Sequence, residues 1–155
     1  MDYEIVTAES GDVGALVRLS SALFLEDAGT RDPFTDVGWP ASHGREHFLS
    51  LISRNDALCL LAKSGRTSVG YLAGYVRNPT TLRPVRIADL QSMYVEVSYR
   101  DRGVGSALVA DFLSWAAGRM AERISVTAYA SNEEALRFYA RHGFRPKSTT
   151  LEMPL

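Results

Sequence analysis

The sequence predicts a mixed α/β fold with its elements in the order βα(α)βββαβαβ. Three observations point there. Apolar residues recur at helical spacing in four separate stretches. Short β-rich runs, bounded by Gly, Pro and Asn, lie between and around them. The chain of 155 residues is long enough to bury a sizeable core, and residues 1–155 are expected to form a single domain.

The elements follow in chain order. "YEIVTA" (3–8) reads as a short strand. Ser10, Gly11 and Asp12 offer caps for a helix from about Val13 to Leu25, with Leu16, Leu19, Leu23 and Phe24 at helical spacing. Residues 26–41, scattered with Gly, Pro and Asp, read as a loop with room for a short helical turn. A second helix is predicted from about Ser42 to Ser53, with Phe48, Leu51 and Ile52 on one side. "ALCLLAKS" and "SVGYLAGYVR" are β-rich runs whose glycine-containing junction signals a hairpin. "VRIADLQSMYVEV" (85–97) reads as one long alternating strand. Regular alternation puts Ile87, Asp89, Gln91, Met93 and Val95 on one face, and Ala88, Leu90, Ser92 and Tyr94 on the other. A third helix begins near Val104, with Leu108, Phe112 and Trp115 on its apolar side. A strand over 123–129, a helix over about 132–142 and a terminal strand "STTLEMPL" complete the chain. In the last helix, Ser131 and Glu134 have capping-box spacing, and Gly143 suits the position just past the end.

Composition bounds the function. A net charge of −1 gives no electrostatic case for nucleic acid or an anionic membrane, so neither is expected as a partner. No apolar run approaches the roughly 20 residues of a membrane span. The first ten residues lack the basic and apolar regions of a secretory signal. The single cysteine, Cys59, cannot build an internal disulfide framework and sits in an apolar run, where it reads as a core thiol. A cytoplasmic location is the expectation.

The stretch "YRDRGVGSALVADFL" (99–113) carries the first chemical signal. The first four N–H groups of a helix have no internal partner, and Ser, Thr, Asp or Asn usually caps them. Here Gly103 stands at the cap, and no carboxylate appears in the first turn. Bare amides, the helix dipole and the nearby Arg100 and Arg102 together suit an anion such as phosphate. A solvated turn with glycines present only for geometry would look the same. No P-loop pattern occurs, and the third glycine of a dinucleotide fingerprint is missing at Leu108.

Two longer matches go further. Arg100-Asp101-Arg102-Gly103-Val104-Gly105 resembles the R/Q-x-x-G-x-G/A signature of the GNAT family of N-acetyltransferases. "ASNEEALRFYARHGF" (130–144) resembles that family's N-x-x-A-x-x-F-Y-x-x-x-G-F segment. The resemblance implies the GNAT-type fold, a mostly antiparallel sheet flanked by helices, and acetyl-CoA as acyl donor, with no metal. It implies that the backbone amides of Arg102, Gly103, Val104, Gly105 and Ser106 hold the CoA diphosphate, with Arg100 and Asp101 in the same turn. It further implies that the pantetheine arm bonds the backbone near Met93 and Val95, that Asn132 contacts a pantetheine amide, and that Tyr139 lies near the sulfur and protonates the departing thiolate. Without the resemblance, Tyr139 reads as a core tyrosine and Asn132 as a helix cap. His142 reads as a packed or solvated residue at a helix end.

Three positions depart from the family pattern: Val97 where proline is common and Asp101 where glycine is frequent, both minor because backbone groups still serve, and Gln91, which bears on the chemistry. Where many members carry a glutamate that takes the amine proton through water, this chain has Gln91, which cannot act as a base. Asp89, one pleat earlier, is the first candidate. His43, His47 or an acid of the 26–36 loop are alternatives, as is a reaction without a side-chain base in which the substrate arrives partly deprotonated. That loop carries Glu26, Asp27, Asp32 and Asp36. With Phe34, Trp39 and Tyr75 it suggests a pocket for a small, cationic amine. A solvated acidic loop is the plainer reading. The expected function is therefore N-acetyl transfer from acetyl-CoA to a primary amine of a small molecule, by direct attack on the thioester. A protein acetyltransferase and a non-catalytic acyl-CoA-binding module are the alternatives. Family members are often dimers, so a homodimer is also in view.

Overall fold

The computed structural model describes residues 2–155. Its strands are β1 (Glu4–Thr7), β2 (Ala57–Ser64), β3 (Thr67–Arg77), β4 (Ile87–Val95) and β5 (Arg123–Val126). Its helices are α1 (Val13–Glu26), α2 (Ala28–Arg31), α3 (Trp39–Ser53), α4 (Val104–Gly118) and α5 (Glu133–Arg141). The strands form one sheet in the order β1-β2-β3-β4-β5. The first four pair antiparallel, and β4 pairs with β5 in parallel.

Two apolar clusters cover the two faces of this sheet. On one, Leu16 and Leu19 of α1 and Phe48 and Leu51 of α3 pack on Leu61, Tyr71 and Ala73. On the other, Leu108, Val109, Phe112 and Ala116 of α4 pack on Leu72, Val76, Ala88 and Leu90. Cys59 is buried in the first cluster, and desolvation pushes its thiol up to about 12. It is the core thiol the sequence indicated.

The alternation expected along β4 fails at one residue. β4 and β3 change register between Leu90 and Ser92, where consecutive Gly74 and Ala73 stand opposite. Gln91 is the extra residue of a β-bulge, and a bulge shifts the side-chain phase by one. Met93 and Val95 therefore join Ala88 and Leu90 on the α4 side. Asp89, paired across the ladder with Tyr75, shares the α3 side with Tyr94. The expected grouping of Asp89 with Met93 and Val95 is thus corrected. Gly74 permits the irregularity: a Cβ there would lie 2.4 Å from the Asp89 carbonyl oxygen and 2.5 Å from the Phe112 ring.

Helix ends moved for local reasons. α3 begins at Trp39 rather than Ser42, because Pro40 sits in its first turn, where its missing N–H is no loss. The cap of α5 is Asn132 rather than Ser131; its Oδ1 accepts the Ala135 amide at 3.1 Å. Past α5, Gly143 has φ +93°. Phe144 and Gly143 donate to the carbonyls of Tyr139 and Ala140, closing the helix. The terminal strand expected over 148–155 is absent: the tail has no secondary structure and every residue from Arg145 to Leu155 is exposed. β-propensity alone makes no strand, since the ladder needs a partner edge.

Candidate active site

The site begins where two strands part. β4 and β5 pair from Ile87 with Arg123 to Leu90 with Val126, and no further. β4 continues through Gln91–Val95 with β3 on one side only. The Glu96 amide donates to Val69 of β3 at 2.8 Å. Backbone groups of alternate residues point to alternate edges, so those of Met93 and Val95 face the open side. A cleft of about 250 Å³ fills the opening, with Asp89, Gln91, Ser125 and Thr127 in its walls.

Beside the end of β4 is the start of α4. Gly103 caps it at φ +83°, a conformation that suits glycine, and Asp101 before it has φ +60°. No side chain accepts the first amides, and no acid lies in the first turn. The bare helix start expected from sequence is present. Arg102 is exposed and has no ion-pair partner among the described residues. Arg100 is not free in this way. Its Nε donates to the Val95 carbonyl at 2.8 Å, and its Nη2 reaches both Glu26 oxygens at 2.8 Å. The structure thus ties the end of α1 to the end of β4 through Arg100.

The two sequence motifs meet here. A Cβ on Gly105 would lie 3.3 Å from the Phe138 ring, so this glycine lets α5 approach α4. His142, at the end of α5, bonds the Phe138 carbonyl through Nδ1 at 2.9 Å and Ser106 Oγ through Nε2 at 3.0 Å. A carbonyl only accepts, so Nδ1 carries the proton; in the neutral ring Nε2 then accepts from the Ser106 hydroxyl. Tyr139 stands edge-on to Phe138 and Phe144, at ring centroid distances of 5.3 and 5.5 Å. Burial, then the neighbouring Asp27 and Tyr71, push its phenol up to about 12, so it stays protonated at neutral pH. Asn132 uses both ends of its amide within the chain, capping α5 and donating to Asp27 Oδ1 at 3.1 Å.

The acidic loop has other business than a ligand. Glu26 pairs with Arg100, and Asp27 with Arg31 at 2.7 Å. Asp32 accepts from Phe34 N and Thr35 Oγ1, and Asp36 from Gly38 N. The expected acidic pocket is not formed by these four carboxylates, and Phe34 points to solvent, 90% exposed. Spacing alone does not reveal all of this: Asp27 pairs with Arg31 four residues on and Asp32 and Asp36 serve turns, but Glu26 is claimed by an arginine 74 residues away.

Asp89 is held by Arg77, whose Nη2 donates to Oδ1 at 3.1 Å and whose Nε meets Oδ2 at 2.5 Å. Gln91 instead meets His47 of α3, with Nε2 and Oε1 3.1 Å apart. His47 and His43 belong to an aromatic group with Trp39: His43 stacks on the indole at 5.8 Å and His47 meets it edge-on at 5.4 Å. Regular alternation accounts for this contact, since Gln91 lies two residues beyond Asp89 and shares the α3 side with it. His142 is the packed helix-end residue the sequence indicates, at 4.4 Å from the Phe138 ring; its reach to Ser106, 36 residues away, is not written in its spacing.

A family model described as Acetyltransferase (GNAT) family matches residues 24–144. The chain belongs to the GNAT family. An uncharacterized N-acetyltransferase of Methanocaldococcus jannaschii is 24% identical over 103 residues, 66% of this chain and 46% of that protein. The chain thus matches about half the length of that relative. A mutant form of the BH1408 protein of Bacillus halodurans superposes with a TM-score of 0.89 at 18% identity, covering 98% of this chain and 99% of the other. An aminoglycoside 6′-N-acetyltransferase of Acinetobacter baumannii does so with a TM-score of 0.77 at 16% identity, over 99% and 98% of the two chains. At such identities the likeness is one of fold. The mostly antiparallel sheet with helices on both faces is the GNAT fold. No helix among the described residues is long and apolar enough to cross a membrane.

Proposed function

We propose that this protein moves an acetyl group from acetyl-CoA to the primary amine of a small molecule. The observation that carries this reading is the opening between β4 and β5 beside the uncapped start of α4. It offers an unpaired strand edge for an extended amide chain and bare amides for a diphosphate.

The residues present fit acetyl-CoA, which supplies the thioester. The amides of residues 102–106 hold the diphosphate, with Arg102 adding charge; Asp101 contributes the backbone of the turn. Met93 and Val95 bond the pantetheine through their outward backbone groups. Arg100 Nε occupies the Val95 carbonyl and gives way to that ligand, so Arg100 covers this part of the edge rather than binding phosphate. Asn132, fixed by Asp27, sets the position of α5 and hence of Tyr139. Tyr139 donates a hydrogen bond to the sulfur as its charge develops.

For the amine proton, His47 is the better acceptor than Asp89. Both oxygens of Asp89 already meet a guanidinium. An imidazole is neutral over part of the physiological range and can take a proton. His47 reaches the cleft wall through Gln91, the position where many relatives carry glutamate. The acceptor is a small amine; the aminoglycoside activity named for the Acinetobacter protein makes amino sugars the first class to try.

Calorimetry with CoA, and CoA release in a panel of amines, test the proposal. Tyr139→Phe should lower kcat by about a hundredfold while CoA still binds. His47→Ala should cut turnover by a similar factor, and Gln91→Glu in that background should restore part of it. Absence of heat with CoA would overturn the donor site. A chain that binds CoA but acetylates nothing in the panel, with or without Tyr139, would overturn the enzyme reading in favour of a binding module. Unchanged turnover in His47→Ala would remove the proton acceptor.

A further inference from the structure

His142 belongs to the second motif yet has no part in the reaction proposed above. Its ring is fixed from three directions. It packs on Phe138 with ring centroids 4.4 Å apart, Nδ1 donates to the Phe138 carbonyl at 2.9 Å, and Nε2 lies 3.0 Å from Ser106 Oγ. Ser106 is exposed in the first turn of α4, and its amide belongs to the uncapped helix start.

This geometry sets up a conflict over one hydrogen. A hydroxyl has a single O–H to give. In the neutral ring Nδ1 carries the proton and Nε2 only accepts, so Ser106 gives its hydrogen to His142 and turns its free lone pair outward. A diphosphate offers only acceptors, so such a hydroxyl meets it oxygen to oxygen. Protonation of the ring reverses the bond. Nε2–H then donates to Oγ, the hydroxyl hydrogen is released toward the phosphate, and the cationic ring adds its charge beside the anion.

The surroundings leave that charge uncompensated until an anion arrives. Among the described residues no carboxylate pairs with His142. The stretch of α4 from Val104 to Ala110 carries no ionisable side chain, and the turn before it holds Asp101 and Arg102. On α5, Glu133 and Glu134 stand in the first turn, at the end away from His142, and Glu133 pairs with Arg137 at 3.9 Å. Arg141, over the Phe138 ring, and Arg145 flank His142 in the chain, and both are cations.

We propose, on the strength of the donor site argued above, that His142 is a positioning residue for the donor: it aims the Ser106 hydroxyl, and diphosphate binding draws a proton from solvent onto its ring. An imidazole changes charge between about pH 5 and 8. The donor therefore binds more tightly as pH falls through that range, because the ligand and the proton each favour the other.

Calorimetry with dephospho-CoA, which lacks the phosphate monoester that itself titrates near neutrality, tests this. Runs in buffers of different ionisation heat should show net proton uptake on binding, and affinity about tenfold higher near pH 6 than near pH 8. His142→Gln, whose amide serves Ser106 at any pH, should bind equally at both and take up no proton. Ser106→Ala keeps the Nδ1 bond to Phe138 and should lose most of the gain at low pH. Wild-type affinity that is flat with pH, or uptake that persists in His142→Gln, would overturn the proposal. Should His142→Gln not fold, an undiminished low-pH gain in Ser106→Ala overturns it instead. Binding without proton linkage removes this inference alone, whereas no heat at either pH removes the donor site and this inference with it.

Discussion

The two halves of β4 differ more than their sequences do. From Ile87 to Leu90 the strand is bonded on both sides, and Ile87, Ala88 and Leu90 are buried. From Gln91 to Val95 it is bonded to β3 alone, and no residue is buried. The same strand serves as core in its first half and as a candidate binding edge in its second. The transition is one extra residue. Gln91 bulges, the phase turns over, and β5 no longer follows. A binding surface is thereby made inside a sheet, with one flank still packed and so still rigid.

That contrast can be broken at its support. Gly74 faces the bulge, and any Cβ there collides with the Asp89 carbonyl and the Phe112 ring. Gly74→Val should lower stability by about 3 kcal/mol or more, read as a shift of the urea midpoint. A midpoint within error of wild type would mean that the bulge does not depend on this glycine.

The open half can be weakened with less damage to the fold. Gly103→Ala forces a side chain into φ +83° and should cost about 1–2 kcal/mol of stability. Its affinity for CoA should fall along with it, because the amides that follow change direction. If stability drops and CoA affinity holds, the turn is scaffold and not a diphosphate site.

A smaller effect sharpens the comparison at α5. The fold raises the Tyr139 phenol to about 12, against an ordinary value near 10, chiefly by burial. The protonated form is the one the folded state favours. The sign follows: the contribution is fully present below about pH 10 and is lost as pH rises toward 12. At about pH 11 the wild type should have lost about 1 kcal/mol from this source, and Tyr139→Phe should lose correspondingly less between about pH 9 and 11 in paired urea titrations. Equal losses in the two proteins would place the phenol in contact with water.

Much of the fold was legible because its signals are local. Leu16 and Leu19, or Leu108 and Phe112, recur at a spacing that the helix itself imposes, and both sites of apolar periodicity are buried as expected. Gly103 and the missing cap of α4 are likewise written in adjacent residues. The face of Asp89 was not legible, because a bulge depends on what stands opposite it, and Gly74 is 15 residues away in the chain. The acids of the 26–36 loop looked free for a ligand until Arg100, Arg31 and nearby turns claimed them.

The sequence by itself determined the main elements as far as α5, their order and the two glycine-bearing segments that mark the family, since each follows from neighbours along the chain. Only the tertiary structure decided that Gly105 serves Phe138, that Ser106 answers to His142, that Gln91 meets His47, and that the last eight residues have no place in their own sheet. The physical reason is range: periodicity and caps act over a turn of helix or a pleat of strand, whereas side-chain partners and free edges exist only once distant segments have been brought together.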